Sequence, residues 1–143
     1  MRRALLLYNP VAGRFPVKPF LKSVTKALAD SGWTTEVLAT KSGEHATESA
    51  KQAALEGYDA VFASGGDGTI GQVAAGLIGT ETALGILPSG TANVLALEFG
   101  LPVFFWTRWW ALKQNARTLA DAPIRAVDVG ICNGQPFLLW AGM

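Results

Sequence analysis

A chain of 143 residues with 50% hydrophobic and 16% charged side chains has room for one domain with a packed core, since domains commonly run to ~100–150 residues. It is too short for two complete ones. The 12 basic and 11 acidic side chains leave a net charge of +1, which gives no electrostatic footprint for nucleic acid, and the lone Cys132 excludes an internal disulfide and fits a reducing compartment.

In chain order, Met1-Arg2-Arg3 leads into the apolar run Ala4-Leu5-Leu6-Leu7-Tyr8, which is too short for a signal peptide and is ended by Asn9-Pro10 without a cleavage site. No stretch reaches the ~20 apolar residues that span a bilayer. The expectation is a cytoplasmic chain, with peripheral attachment to a membrane left open. Short apolar runs then alternate with longer amphipathic stretches, the pattern of parallel strands joined by helical crossovers. The pattern predicts strands near residues 4–8, 35–39, 60–63 and 83–87, and helices near 17–31, 44–56, 69–77 and 92–99. The predicted fold class is α/β, an open parallel sheet with helices on both faces.

Beyond Pro102 a helix is predicted over residues 103–120, stopped by Asp121-Ala122-Pro123. Two strands over 124–131 and 137–141 flank the turn Asn133-Gly134-Gln135-Pro136, a hairpin and no longer a crossover. Residues 1–122 are therefore expected to form a nucleotide-binding α/β domain. Residues 123–143, ending in the apolar Trp140-Ala141-Gly142-Met143, are expected to be the first strands of a further, β-rich domain.

Each of the first four strands runs into a loop rich in glycine, proline, asparagine or threonine, and in a parallel sheet these loops share the carboxyl edge, where open α/β folds bind ligands. The third loop carries most of the chemistry. Gly65-Gly66-Asp67-Gly68-Thr69 follows an apolar strand and precedes a helix, so it reads as a phosphate site. Its glycines are expected to supply positive φ and to remove the Cβ atoms that would hold a phosphate away from backbone N–H groups. Asp67 is placed to face a metal ion, and Thr69 to start a helix whose positive end favours polyphosphate. Alone, these residues leave open a second, lesser reading as a turn and a helix cap. Pro88-Ser89-Gly90-Thr91-Ala92-Asn93 repeats the strand-loop-helix arrangement on the next strand, and two such loops are hard to explain as coincidence.

With these residues in place, the sequence resembles the diacylglycerol kinase catalytic domain family, shared by diacylglycerol, sphingosine and bacterial lipid kinases. Asn9-Pro10-Val11-Ala12-Gly13 is similar to the family's Asn-Pro-x-Ser/Ala-Gly loop, and Thr40 with Gly43-Glu44-His45-Ala46 to its Thr…Gly-x-His-Ala segment. Residues 65–69 match its Gly-Gly-Asp-Gly-Thr, 88–93 its Pro-x-Gly-Thr-x-Asn, and Val127-Asp128-Val129-Gly130 the usual start of its C-terminal domain. The aspartate loop also occurs in NAD kinases and phosphofructokinases, whose sandwich fold the resemblance implies; the ordered set of motifs is what is specific. Two departures stand out. Gly71-Gln72 replaces the family's usual Asn-Glu, and Asn93 leads into Val94-Leu95-Ala96-Leu97 without the Asp and Arg that often follow.

The resemblance implies transfer of the γ-phosphoryl group of ATP, with Mg²⁺, to a lipid hydroxyl. Asp67 would be the catalytic and metal-holding carboxylate. Gly65, Gly66 and Gly68 would give backbone N–H contacts, Thr69, Gly90, Thr91 and Asn93 would orient phosphate and sugar, and Asn9, Pro10, Gly13 and Thr40 would close over the nucleotide. The general base and further metal ligands would lie beyond Met143, so the 143 residues alone are expected to bind nucleotide without efficient turnover. Two other readings remain open: a kinase for NAD or a sugar phosphate, and a non-catalytic nucleotide-binding regulatory module. His45 reads either as a polar first-turn residue or as a neighbour of the nucleotide. On the helix after Pro102, Phe105, Trp109, Leu112, Ala116 and Leu119 form an apolar stripe expected to pack on the domain. Beside it, Trp106, Trp110, Lys113 and Arg117 suit either an anionic lipid surface or a contact with the further domain.

Overall fold

The computed structural model describes residues 1–13, 16–89, 110–124, 130–132 and 135–137. Strand β1 (Arg2–Tyr8) is apolar without alternation from Ala4 onward because both of its faces are covered. It lies inside a four-stranded parallel sheet with β2 (Trp33–Ala39), β3 (Ala60–Gly65) and β4 (Ala83–Pro88), in the order β2-β1-β3-β4. The register sets Leu6 beside Val37 on one side and Phe62 on the other, and Phe62 beside Gly85. As the edge strand, β2 exposes Glu36, Val37 and Leu38, while every residue of β3 is buried.

Helices close both faces, as the crossover pattern requires. On one face α1 (Leu21–Asp30) and α4 (Ala111–Ala120) set Val24, Leu28, Leu112 and Ala116 against Leu6, Phe62 and Leu87. On the other, α2 (Gly43–Leu55) and α3 (Asp67–Leu77) set Ala50, Ala53, Ile70 and Val73 against Leu5, Leu7 and Val61. The buried face of α2 is alanine throughout, which lets α3 approach closely. At Gly76 the approach is closest: a Cβ there would strike the Thr47 carbonyl oxygen and come to 3.0 Å from Ala50 Cβ.

The lower end of α4 is anchored at the amino edge of the sheet. Trp33 Nε1 and Arg2 Nη1 both donate to the Ala120 carbonyl, at 3.1 and 2.9 Å, and the Arg2 guanidinium lies 4.4 Å from the Trp33 ring centre. Since Arg2 and Trp33 open β1 and β2, the helix runs down from the carboxyl side, with Trp110 at its upper end. Also at the amino edge, Tyr58 is held above the usual phenol range, first by its hydrogen bond to Glu36, then by burial and the Glu36 charge, with Arg3 opposing.

The open α/β sandwich and the four predicted strands are present, each strand longer than the periodicity alone indicated. Other boundaries differ as well. The helix expected over 17–31 opens as a 3₁₀ turn (Lys18–Phe20) before α1, with Pro19 in its first turn, where a missing N–H is tolerated. Helix α3 begins at Asp67 with Gly66 as its cap, so Thr69 stands inside the first turn instead of opening it. Near the end of the chain, β5 (Gly130–Cys132) pairs antiparallel with β6 (Gln135–Phe137), with Cys132 opposite Gln135. Gln135 and Pro136, expected in the turn, are thus strand residues; only two residues separate the paired ends, the commonest hairpin spacing. Ile124, expected to begin a strand, is exposed and outside regular structure. The helix predicted over 92–99, residues 103–109 of the next one and residues 138–141 lie outside the described residues.

Candidate functional site

All four parallel strands end on one edge, at Tyr8, Ala39, Gly65 and Pro88. From β1 the chain crosses to β2 on one side, and from β3 it crosses to β4 on the other, so the crevice between the ends of β1 and β3 is the switch point of the sheet. Asn9 spans that crevice. Its backbone N–H donates to the Ser64 carbonyl at 2.9 Å, its Nδ2 donates to Thr69 Oγ1 at 3.1 Å, and its Oδ1 accepts the Val11 N–H at 3.0 Å. One asparagine thereby folds its own loop as an Asx turn and ties it to the first turn of α3. Pro10 and Gly13 are exposed in the same loop, and Gly13 has φ of 70°, a conformation glycine adopts at little cost.

The aspartate loop turns without positive φ. Among the described residues such angles occur at Gly13, Gly32, Gly57 and Gly79, and Gly66 has φ of −87°. The expected left-handed turn is unnecessary because the chain passes from strand directly into helix, with extended backbone at the cap. The need for glycine is steric instead. A Cβ on Gly65 would lie 2.6 Å from Thr69 Cβ and 2.8 Å from Thr69 Oγ1, whereas a Cβ placed on Gly68 would meet no described atom within 4 Å beyond its chain neighbours and the backbone of its own helix. Asp67 and Thr69 are half-buried in the first turn of α3, and Gly68 is exposed between them. The positive end of that helix's dipole favours an anion.

Two neighbouring elements support this edge. Thr40, buried at the end of β2, gives its N–H and its hydroxyl to the Tyr8 carbonyl, at 2.9 and 3.3 Å. Ser42 then caps α2 by accepting the His45 N–H at 3.0 Å, and His45 Nδ1 accepts the Lys41 N–H at 3.0 Å. His45 therefore does the work of a polar first-turn residue. Gln72, at the position where the related pattern has glutamate, packs on α2: Thr47 Oγ1 is 2.9 Å from its Oε1 and 2.8 Å from its carbonyl oxygen.

A buried hydroxyl pair lies beneath the loops. Ser64 and Ser89 are 0% and 2% exposed, with their Oγ atoms 3.2 Å apart. Sequence reasoning named Ser89 only within its loop and gave neither serine a role of its own; the available signal was a serine at the end of each of two apolar strands, just before a glycine. Gly90, Thr91, Asn93 and Trp106 lie outside the described residues. On α4, Leu112 and Ala116 are buried as expected, while Trp110 and Arg117 are exposed and Lys113 is half-buried.

Among the described residues no group of three or more His, Cys, Asp or Glu side chains could hold a metal ion. A single carboxylate, Asp67, with a helix N-terminus for phosphate is not a donor set for a resident metal. It does fit magnesium, which is commonly held by one or two carboxylates together with substrate phosphates and water.

The family description "Diacylglycerol kinase catalytic domain" matches residues 3–132. A diacylglycerol kinase of Bacillus subtilis (strain 168) is 39% identical over 99% of this chain and 46% of its own length. A diacylglycerol kinase of Staphylococcus aureus (strain MRSA252) is 34% identical over 96% of the chain and 42% of its own length. In three dimensions, the crystal structure of a diacylglycerol kinase from Bacillus anthracis str. Sterne superposes with a TM-score of 0.79 at 28% identity, covering 96% of this chain and 45% of that one. The chain thus spans less than half the length of these relatives. With the match extending over nearly the whole sequence and with the ends of four parallel strands on one edge of the sheet, the chain belongs to the diacylglycerol kinase catalytic domain family.

Proposed function

We propose that this chain is the nucleotide-binding part of an ATP-dependent lipid kinase, transferring the γ-phosphoryl group to a lipid hydroxyl. The observation that carries the reading is the junction of β3 and α3, where the half-buried Asp67 and the exposed Gly68 stand in the first turn of a helix at the switch-point crevice, braced from β1 by Asn9. Phosphoryl transfer needs little covalent chemistry from the protein; it needs the triphosphate positioned and its charge neutralised. In this reading the N–H groups around Gly66 and Gly68 receive phosphate oxygens, with Gly65 keeping the strand end close to Thr69. Asp67 holds Mg²⁺ directly or through water, and the ion supplies charge neutralisation on the phosphates. The loop of Asn9, Pro10 and Gly13 closes over the nucleotide, Thr40 fixes the neighbouring strand end, and Gly90, Thr91 and Asn93 orient phosphate and sugar from the adjoining loop.

The proposed acceptor is a lipid hydroxyl, after the diacylglycerol kinases among the relatives. No helix among the described residues is long and apolar enough to cross a membrane, and we place the protein in the cytoplasm with peripheral membrane contact. Residues 1–143 are expected to bind ATP and to show no efficient turnover, the base and further metal ligands being assigned to a C-terminal domain. Calorimetric titration with ATP, with and without Mg²⁺, tests the first statement, and absence of saturable binding at millimolar ATP defeats it. Radiolabelled phosphate transfer to mixed lipids tests the second; robust turnover by these residues alone would relocate the base.

A further inference from the structure

Among the described residues the buried polar side chains are Thr40, Ser64, Ser89 and Asn115. Three of these stand at the carboxyl ends of β2, β3 and β4, directly under the loops. Ser64 immediately precedes Gly65, and Ser89 immediately precedes Gly90. Their Oγ atoms are 3.2 Å apart, and the Ser89 N–H donates to the Gly65 carbonyl at 3.0 Å. The two loops that the proposed function assigns to one nucleotide are therefore joined at their roots by a backbone bond and a side-chain bond.

Ordinary core packing gives no reason for this choice. Burying a hydroxyl costs free energy unless a partner restores its hydrogen bond, and a pair of apolar residues of similar size would fill the same space at little or no loss. What the hydroxyl pair adds is direction. It fixes the separation and relative rotation of β3 and β4 at the point where both leave the sheet, which a contact between methyl groups does not. Positioning of this kind matters most where two loops must present donors to one ligand at hydrogen-bonding distances.

We infer that the Ser64–Ser89 pair is a positioning device for the candidate site: it fixes the end of β4 against the end of β3 directly beneath the aspartate loop, and so sets how that loop meets the nucleotide. The inference rests on the nucleotide reading of the site. Neither serine touches the nucleotide; both act through the loops that follow them.

The test is a double-mutant cycle in the full protein carrying this chain, with ATP as the probe, titrated with and without Mg²⁺, and thermal unfolding measured in parallel. Ser64→Ala and Ser89→Ala are each expected to weaken ATP binding roughly fivefold, the scale of one neutral hydrogen bond. The double variant is expected to bind no more weakly than the worse single one, because both substitutions delete the same bond. Its thermal midpoint should return toward that of the native protein. Unchanged ATP affinity in all three variants, with only the midpoints lowered, would make the pair a packing feature and overturn the inference. Losses that multiply in the double variant overturn it as well. Should Ser64→Ala fail to fold, Ser89→Ala breaks the same bond from the strand end and decides. Native protein that binds no ATP removes the site reading and this inference together, whereas native binding with unaffected variants removes this inference alone.

Discussion

At Gly65 and Gly68 two glycines of one motif serve different ends. Gly65 is buried, and the atoms a Cβ would meet are those of Thr69, the side chain that receives the Asn9 amide. Gly65→Ala should therefore displace the first turn of α3, because Thr69 Cβ stands 2.6 Å away and no rotamer change moves it, break the bridge across the crevice, and lower both stability and ATP affinity. Gly68 is exposed in the first turn of α3, and beyond its neighbours and its own helix backbone no described atom lies near its missing Cβ. Gly68→Ala should fold as well as the native chain, or better by up to about 1 kcal/mol through helix propensity and reduced unfolded-state freedom. Its ATP affinity should nevertheless fall, since the methyl group would occupy the approach to the N–H groups. Thermal unfolding and ATP titration of both variants separate the two roles. A Gly68→Ala protein that binds ATP as tightly as the native one would show that phosphate does not approach there.

The packing of α2 on α3 decides where the aspartate loop points, because α3 grows directly out of that loop. Thr47 and Gln72 join the two helices at their upper ends, and Gly76 lets the backbones meet farther down. Gly76→Ala must displace the Thr47 carbonyl or the helix itself, and is expected to cost about 1–3 kcal/mol, as other overpacked interfaces do. Chemical denaturation measures that loss; a stability within experimental error of the native value would mean that α2 and α3 are not in contact at Gly76. This interface also marks the limit of what the sequence made legible. Strands buried on both faces declare themselves as unbroken apolar runs, so β1, β3 and β4 were readable, and the glycine loops between strand and helix located the ligand edge. The pairing of Ser64 with Ser89, the bridge from Asn9 to Thr69 and the seat of Gln72 on Thr47 join residues 25 to 60 positions apart. No local periodicity carries that information. Even the glycine motif misled in one respect, since motif chemistry suggested a left-handed turn where the strand passes into the helix through extended backbone.

For the whole molecule the proposed function asks how nucleotide and lipid would be brought together, and α4 bears on the geometry. Its lower end is fixed at the amino edge by Arg2 and Trp33, its inner face is filled by Leu112 and Ala116, and its upper end brings Trp110, 42% exposed, to the side where the loops emerge. Tryptophan is favoured at a membrane interface, and Lys113 and Arg117 add charge that anionic headgroups attract. A protein resting on a lipid surface through this end of α4 would hold its phosphate loops near that surface. Trp110→Ala combined with Arg117→Gln should reduce co-sedimentation with vesicles containing anionic phospholipid and leave ATP affinity unchanged, because neither side chain belongs to the loops. Raising the salt concentration should weaken the binding of the native protein and have less effect on the variant, since screening acts on the charge that the variant lacks. Vesicle binding equal to that of the native protein would remove α4 from the membrane contact and assign its exposed face to another protein surface.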